Sequence, residues 1–182
     1  MPDKAPDDTA LIATLAEIQR RGAIGDVSLA AAVEHAEQFV VALSATTGRL
    51  ADLGSGGGLP GLVIAVRRRD LAITLVERRR SRADLLQRAV LALRLDHVGV
   101  FSGDVRELAN AHPNSFDAVT ARSFAAPDVS ARWAGNLLVA GGLLVVSEPP
   151  QPSVDRWPGP MLAAAGLADL GTLGGIRRFR KV

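Results

Sequence analysis

The feature that most constrains this chain is a glycine-rich segment, residues 50–61, which reads LADLGSGGGLPG and joins a strand-like apolar run to a helical pattern. Glycines let the backbone take positive φ and approach a ligand closely. Pro60 suits the first turn of the helix that would follow. The segment therefore predicts a loop that cradles a ligand where a strand ends.

Two ligands compete for this loop, and a glycine turn with no ligand is the third interpretation. Residues 56–61 satisfy the glycine spacing of dinucleotide-binding loops. Asp52, however, puts a carboxylate at the end of the strand, where it suits the ammonium group of a methionine moiety and would lie badly beside a pyrophosphate. We therefore predict S-adenosylmethionine as the cofactor, bound by Asp52 and by loop glycines that include Gly56.

From Arg49 onward, short apolar runs bounded by glycine or charge alternate with helical patterns, as in stacked βα units around a parallel sheet. Two helices precede them, one beginning at Asp8 or Thr9 and stopping at Gly22, the other beginning at Ser28. We expect residues 1–48 to form a short helical cover within the same domain as residues 49–182. Strands are predicted near 49–53, 71–76, 97–101, 116–120 and 142–147, and later helices near 60–68, 80–94, 105–111, 127–139 and 154–165.

The end of the chain separates two doubly wound folds. Residues 167–173 and 175–182 are apolar segments separated by little more than Gly174, which predicts an antiparallel hairpin. Five βα units followed by such a hairpin form the seven-stranded sheet of methyltransferases, whereas dinucleotide dehydrogenases close with a sixth parallel strand. The predicted fold is α/β, doubly wound, of the class I S-adenosylmethionine methyltransferase type.

Acidic residues follow the second and third predicted strands. Glu77 ends the second strand, where a solvent-facing carboxylate can accept both ribose hydroxyls of a nucleoside. The alternative for Glu77 is a surface ion pair with residues 78–80. Asp104 closes the third strand and can accept a hydrogen bond from an adenine amino group, cap the following helix, or do both.

Arg122 follows the fourth predicted strand, at the edge of the sheet where open α/β folds bind ligands. A guanidinium there can hold a phosphate, a base edge or a carboxylate. An ion pair with Asp117 or Asp128 is the structural alternative.

Composition excludes several chemistries. The absence of cysteine rules out disulfides, thiolate metal sites and cysteine nucleophiles, and three scattered histidines suggest no metal. Residues 1–8 lack the basic and apolar regions of a secretory signal, and the apolar run 137–146 is too short to span a membrane. We therefore expect a cytoplasmic protein without membrane contact.

The basic residues are almost all arginine, 19 of 21, although the net charge is only +2. Arginine suits phosphate because its planar fork donates two parallel hydrogen bonds, but a general bias toward arginine on solvated faces explains the count equally well. Clusters at 67–69, 78–82 and 177–181 together can engage an RNA backbone. The last cluster is as easily an edge strand protected by charge from aggregation.

Several of these segments together resemble a known family. They are the loop 52–61 with its LPG end, Arg82 in the helix after Glu77, and residues 116–119 leading to Arg122-Ser123-Phe124-Ala125. They look like the bacterial 16S ribosomal RNA guanine-N7 methyltransferases of the glucose-inhibited-division-B type, over roughly residues 35–146. His35 with residues 39–43 is similar to the family's helix before the glycine loop.

The resemblance implies site residues as well as a function. The family's cofactor contacts fall on Gly54, Leu59, the backbone at Val105 and Arg106, and Arg122, which is also the candidate catalytic residue; Glu77 corresponds to the ribose-binding acid. The departures lie on or beside the substrate side. An asparagine-leucine-threonine segment near the start is absent, Ser147-Glu148-Pro149 replaces a lysine-glycine pair, and residues 103–106 reverse the charges of an arginine-x-glutamate segment.

The resemblance implies methylation of guanine N7 in 16S ribosomal RNA, with the ribosomal RNA or small ribosomal subunit as partner. Guanine N7 carries a free lone pair, so this reaction needs in-line positioning and no general base. Three alternatives stay open at this point: methylation of another RNA or of a small molecule, a cofactor-binding homologue without activity, and a dinucleotide oxidoreductase.

Overall fold

The computed structural model describes residues 8–149 and 155–182. Seven strands form one sheet in the spatial order β3-β2-β1-β4-β5-β7-β6. Strands β1 to β5 are parallel to one another, and β7 is antiparallel to both β5 and β6. The elements in chain order are α1 Asp8–Arg20, α2 Leu29–Ala42, β1 Gly48–Leu53, α3 Gly61–Arg67, β2 Leu71–Glu77, α4 Arg80–Ala92, β3 Val98–Ser102, α5 Val105–Ala111, β4 Phe116–Ala121, α6 Pro127–Leu137, β5 Leu138–Ser147, α7 Gly159–Ala164, β6 Leu167–Leu173 and β7 Ile176–Lys181.

Two apolar cores cover the two faces of the sheet, as the twofold alternation of side chains along a buried strand requires. In β1, Leu50 belongs to the core that contains α1 to α4, whereas Ala51 and Leu53 belong to the core under α5, α6 and α7. The two N-terminal helices therefore share a core with the sheet. Their side chains Leu11 and Phe39 are fully buried in it.

Local signals in the sequence explain most element boundaries. Ser28 caps α2, accepting a hydrogen bond from the Ala31 amide, and Gly22 takes φ +76° just after α1. Pro60 precedes Gly61, the first residue of α3, instead of lying within the helix. Residue 154, where the last helix was expected to begin, lies outside the described residues. The helix observed there is shorter, Gly159–Ala164.

Two expectations about the last strands are wrong. β5 begins at Leu138, directly after α6, and not near residue 142. Its pairing with β4 shifts register between Phe116 and Ala118, so it runs through Gly141 and Gly142. The arginine-rich strand β7 is not at the edge of the sheet, because β6 lies outside it.

Asp117, the second residue of β4, fixes the position of the first residues of β1. The Arg49 amide donates to Asp117 Oδ2 at 2.7 Å, and Gly48 has φ +88° with no room for a side chain beside that carboxylate.

Within the described residues, no helix is both long and apolar enough to cross a membrane.

Candidate cofactor and acceptor site

The glycine loop connects β1 to α3 at the carboxyl edge of the sheet. Gly54, Gly56 and Gly58 all have positive φ, at +65°, +55° and +92°, which is the conformation that L side chains rarely adopt. The Ser55 amide donates to Val76 O at 2.9 Å, so the loop is tied to the end of β2. The predicted glycine loop after β1 is therefore present.

Glu77, at the end of β2, anchors the same loop. Its Oε2 accepts a hydrogen bond from the Gly56 amide at 3.0 Å, and its Oε1 accepts one from the Arg79 amide at 2.8 Å. The residue is only 6% exposed, so the expectation of a solvent-facing carboxylate is wrong. The reason is that two backbone amides replace the water that a surface carboxylate would keep.

A cavity of about 490 Å³ opens beside Glu77 and runs along the ends of β1 to β4. Ligand sites for small molecules and cofactors fall within roughly 300–1,000 Å³. Five of the nine predicted site residues line it, namely Gly54, Glu77, Asp104, Val105 and Arg106.

Asp104 performs the capping role and also faces the cavity. Its Oδ1 accepts from the Arg106 amide at 2.9 Å, as an N-cap of α5 does, and from the Arg106 Nε at 3.1 Å. These bonds hold the pKa of Asp104 below its usual range, mainly through the Arg106 amide and with a smaller contribution from the charge of Arg78. The carboxylate is ionised at neutral pH and can accept a further donor from the cavity.

Asp52 does not line the cavity. It is 1% exposed and accepts a hydrogen bond from the Thr120 hydroxyl at 2.7 Å, while its Oδ2 is buried without a hydrogen-bond partner among the described residues. Burial raises the pKa of Asp52 to about 6, against the opposing effect of the Thr120 bond. The contact between Asp52 and a ligand ammonium group stays a prediction.

Gly56 and Leu59 also lie outside the cavity lining. The Gly56 amide is turned to Glu77, and Leu59 is partly buried against the core that contains α1 to α4. The two residues therefore contribute to the conformation of the loop and do not face the cavity.

Arg122 lies just after β4, outside the cavity lining and on the side of Asp52. Its positive charge lowers the pKa of Asp52 and of His35, whose pKa is lowered first by burial. Its Nη1 is buried without a hydrogen-bond partner, and it forms no ion pair with Asp117 or Asp128 in the described part of the chain. The ion-pair alternative for Arg122 is therefore wrong.

The structure adds cavity residues that the sequence pattern did not single out. The Phe124 ring lies over the loop, with its Cδ2 2.7 Å from where a Cβ at Gly54 would be, so only glycine fits there. Trp133 of α6 also lines the cavity, with the Arg132 guanidinium 5.0 Å from its ring centre. Phe124 was visible as part of the resemblance, but the spacing of Trp133 gave no signal, because it is one apolar residue of an amphipathic helix.

The residues after β5 are turned away from the cavity. Glu148 accepts a hydrogen bond from Trp157 Nε1 at 2.7 Å and pairs with Arg156 at 3.5 Å. Its side chain is 9% exposed. Where the resembled family carries a lysine-glycine pair, this chain has a buried carboxylate that ties down the segment before α7.

The residues present fit S-adenosylmethionine. The loop leaves open space beside Gly56, where a Cβ would meet only Gly54 O at 3.6 Å and Arg82 Nη1 at 4.0 Å. Glu77 offers carboxylate oxygens to ribose hydroxyls, and Asp104 with the Val105 backbone offers an acceptor and a wall for adenine. A pyrophosphate placed close to these two carboxylates would meet charge of the same sign.

Residues 29–149 match the family model described as GidB, rRNA small subunit methyltransferase G. The chain belongs to this family. It is 39% identical over 109 residues to the ribosomal RNA small subunit methyltransferase G of Neisseria meningitidis serogroup C, covering 59% of this chain and 51% of the relative. It is 48% identical over 99 residues to that of Salinispora tropica, covering 52% and 41%. The chain thus spans about half the length of the curated relatives that it matches.

Solved structures agree on the fold. An O-methyltransferase from Bacillus cereus in complex with SAH superposes with a TM-score of 0.64 at 17% identity, over 98% of this chain and 93% of that one. A SAM-dependent O-methyltransferase from Thermotoga maritima superposes with a TM-score of 0.60 at 15% identity, over 93% and 71%. The predicted class I methyltransferase fold is confirmed.

Proposed function

We propose that the protein binds S-adenosylmethionine and methylates guanine N7 in the RNA of the small ribosomal subunit. The observation that carries the proposal is the cavity between the glycine loop, Glu77 and Asp104 in a chain of the GidB family. When bound, the cofactor supplies a methyl group activated by a sulfonium.

The chain's own residues supply binding and positioning. Glu77 holds the loop through the Gly56 amide and retains lone pairs for ribose hydroxyls, and Asp104 and Val105 border the adenine space. Arg122 lies just beyond the end of β4, and its Nη1 has no hydrogen-bond partner among the described residues. We assign Arg122 to hold guanine O6 or a phosphate, because a guanidinium donates to either in a fixed plane.

No residue has to remove a proton, because guanine N7 is already a free lone pair. The site needs an acceptor held in line with the methyl group and surroundings that tolerate the cationic product. The lowered pKa of His35 keeps its imidazole neutral beside Arg122, so it adds no second cation to this region at neutral pH.

The test is methyl transfer from S-adenosylmethionine to 30S subunits and to protein-free 16S RNA from a strain that lacks this protein. Nucleoside mass spectrometry should then show 7-methylguanosine in the treated RNA and its loss in the deletion strain. Transfer to a small molecule, or cofactor binding without transfer to any RNA, would favour the rival functions instead.

A further inference from the structure

Several arginines line the cofactor cavity, and we call them the rim. Arg78, Arg79, Arg82, Arg106 and Arg132 all line it, against two carboxylates, Glu77 and Asp104. Both carboxylates are already bonded to backbone amides. Five guanidinium groups against two carboxylates leave the rim with a net positive charge, around a cofactor that is itself cationic at its sulfonium.

Most of these guanidinium groups form no ion pair with a described residue. Among the described residues, Arg78, Arg82 and Arg132 form no ion pair, whereas Arg106 pairs with Asp104. Arg78 and Arg132 are exposed, and the Arg132 guanidinium carbon lies 5.0 Å from the centre of the Trp133 ring. A cleft lined by one sign of charge attracts a ligand of the opposite charge and raises its rate of encounter.

The position of this rim identifies what it can hold. Glu77 and Asp104 mark the adenosine end of the cavity, and the one carboxylate of S-adenosylmethionine belongs to the opposite, methionine end. The adenosine part of the cofactor therefore carries no anionic group with which these guanidinium groups can pair. Successive phosphates of a nucleic acid strand match several forks at once.

We propose that the acceptor RNA docks its backbone on Arg78, Arg82 and Arg132, over the adenosine end of the cavity, so that bound RNA covers the cofactor. This inference rests on the proposed function. It adds an order of events: the cofactor enters before the RNA, and it leaves after the RNA has dissociated.

The test compares two double variants of equal charge change. Arg78→Glu with Arg132→Glu reverses the rim, whereas Arg88→Glu with Arg94→Glu reverses two exposed arginines that lie outside the cavity lining and outside the three arginine clusters. Binding to unmethylated 16S RNA is measured across salt concentrations. The rim variant should bind at least tenfold more weakly than wild type, and its salt slope should fall by about 1.4, since each lost phosphate contact on a single strand accounts for about 0.7. The control variant should match wild type.

A second measurement follows the release of radiolabelled S-adenosylhomocysteine from the wild-type protein and the two variants. RNA should slow this release at least tenfold in wild type and in the control variant, and not in the rim variant. Equal RNA binding by both variants, or RNA that leaves cofactor release unchanged in wild type, would overturn the proposal. Both experiments measure binding and do not depend on methyl transfer. If the wild-type protein methylates RNA but shows neither expected binding result, docking at the rim is refuted and the proposed reaction stands. If the wild-type protein binds RNA at the rim but does not methylate it, the proposed reaction is refuted and docking at the rim stands.

Discussion

Asp52 and Thr120 are register partners on β1 and β4, and the Thr120 hydroxyl donates to Asp52 Oδ1 at 2.7 Å inside the protein. Both residues are at most 1% exposed. The hydrogen bond satisfies one carboxylate oxygen and leaves Oδ2 buried without a partner among the described residues. Asp52 therefore ties β1 to β4 inside the protein, at an energetic cost when it is ionised.

That cost predicts an unusual pH dependence of stability. Because burial raises the pKa of Asp52 to about 6, its contribution to folding is fully present below the ordinary value near 4 and is lost as pH rises through 6. Asp52→Asn keeps an acceptor for Thr120 without the charge. Between pH 4 and pH 8, the unfolding free energy of the variant should therefore rise by roughly 2–3 kcal/mol relative to that of wild type. Denaturant titrations of the ligand-free proteins measure it, and a constant difference would contradict it.

We expect the protein to bind S-adenosylmethionine or S-adenosylhomocysteine in preference to NAD. Glu77 and Asp104 suit the ribose and adenine of either ligand, and Asp52 near the end of β1 puts a carboxylate just before the loop, where it disfavours a pyrophosphate. Isothermal titration calorimetry with all three ligands decides the question. Saturable NAD binding without a response to the sulfur ligands would refute the cofactor assignment.

Glu77→Ala should weaken cofactor binding at least tenfold, because a charge-assisted hydrogen bond contributes roughly 1.5–3 kcal/mol. Since Glu77 also accepts from the Gly56 and Arg79 amides, the same change should lower the unfolding free energy by about 1–3 kcal/mol. Glu77→Gln keeps one acceptor oxygen and should lose less of both. An unchanged dissociation constant in Glu77→Ala would limit Glu77 to fixing the loop.

Arg122→Ala should reduce turnover about a hundredfold while changing cofactor affinity much less, because Arg122 lies outside the cofactor cavity and misplacement of an acceptor costs on that order. Arg122→Lys should restore only part of the rate, since a point charge lacks the planar fork. Arg88→Ala, on an exposed face of α4, is the matched control. Methyl incorporation and cofactor affinity are measured on the same preparations, and wild-type turnover in Arg122→Ala would make Arg122 structural.

Trp157→Phe should destabilise the protein by roughly 1.5–3 kcal/mol, because it removes the hydrogen bond from Trp157 Nε1 to the buried carboxylate of Glu148. The ring packing against Phe179, at 4.6 Å between centroids, is retained in part. Thermal unfolding measures the effect. Glu148→Gln, which keeps an acceptor for Trp157, should lose less stability than Trp157→Phe.

The order of helices and strands was predictable because glycine and charged residues separate the apolar runs along the chain. The spatial order was only partly predictable. Residues 167–182 were correctly expected to form a hairpin, but nothing local shows that β7 inserts between β5 and β6, which makes β6 the edge. Likewise, β5 was predicted to begin near residue 142, whereas pairing with β4 extends the strand back to Leu138.

The candidate site, like the spatial order of the strands, was predictable only in part. Residue types at strand ends correctly brought Gly54, Glu77 and Asp104 to one cavity, since the carboxyl ends of parallel strands meet at one edge. The direction in which each carboxylate points depends on register with a neighbouring strand. That is why Asp52 facing Thr120, and Glu77 bonded to Gly56, were not visible in the sequence.

β4 connects the amino ends of the parallel strands to their carboxyl ends. Asp117 lies near its start, and Arg122 lies just beyond its end. Asp117 locks β4 to the Arg49 amide, and five residue steps of strand, about 17 Å, separate it from Arg122. A slip of one residue at the Asp117 end would send Arg122 to the opposite face of the sheet. Anyone who randomises this scaffold to obtain methylation of a different acceptor should therefore hold Gly48 and Asp117 constant, and vary only the far edge that they align.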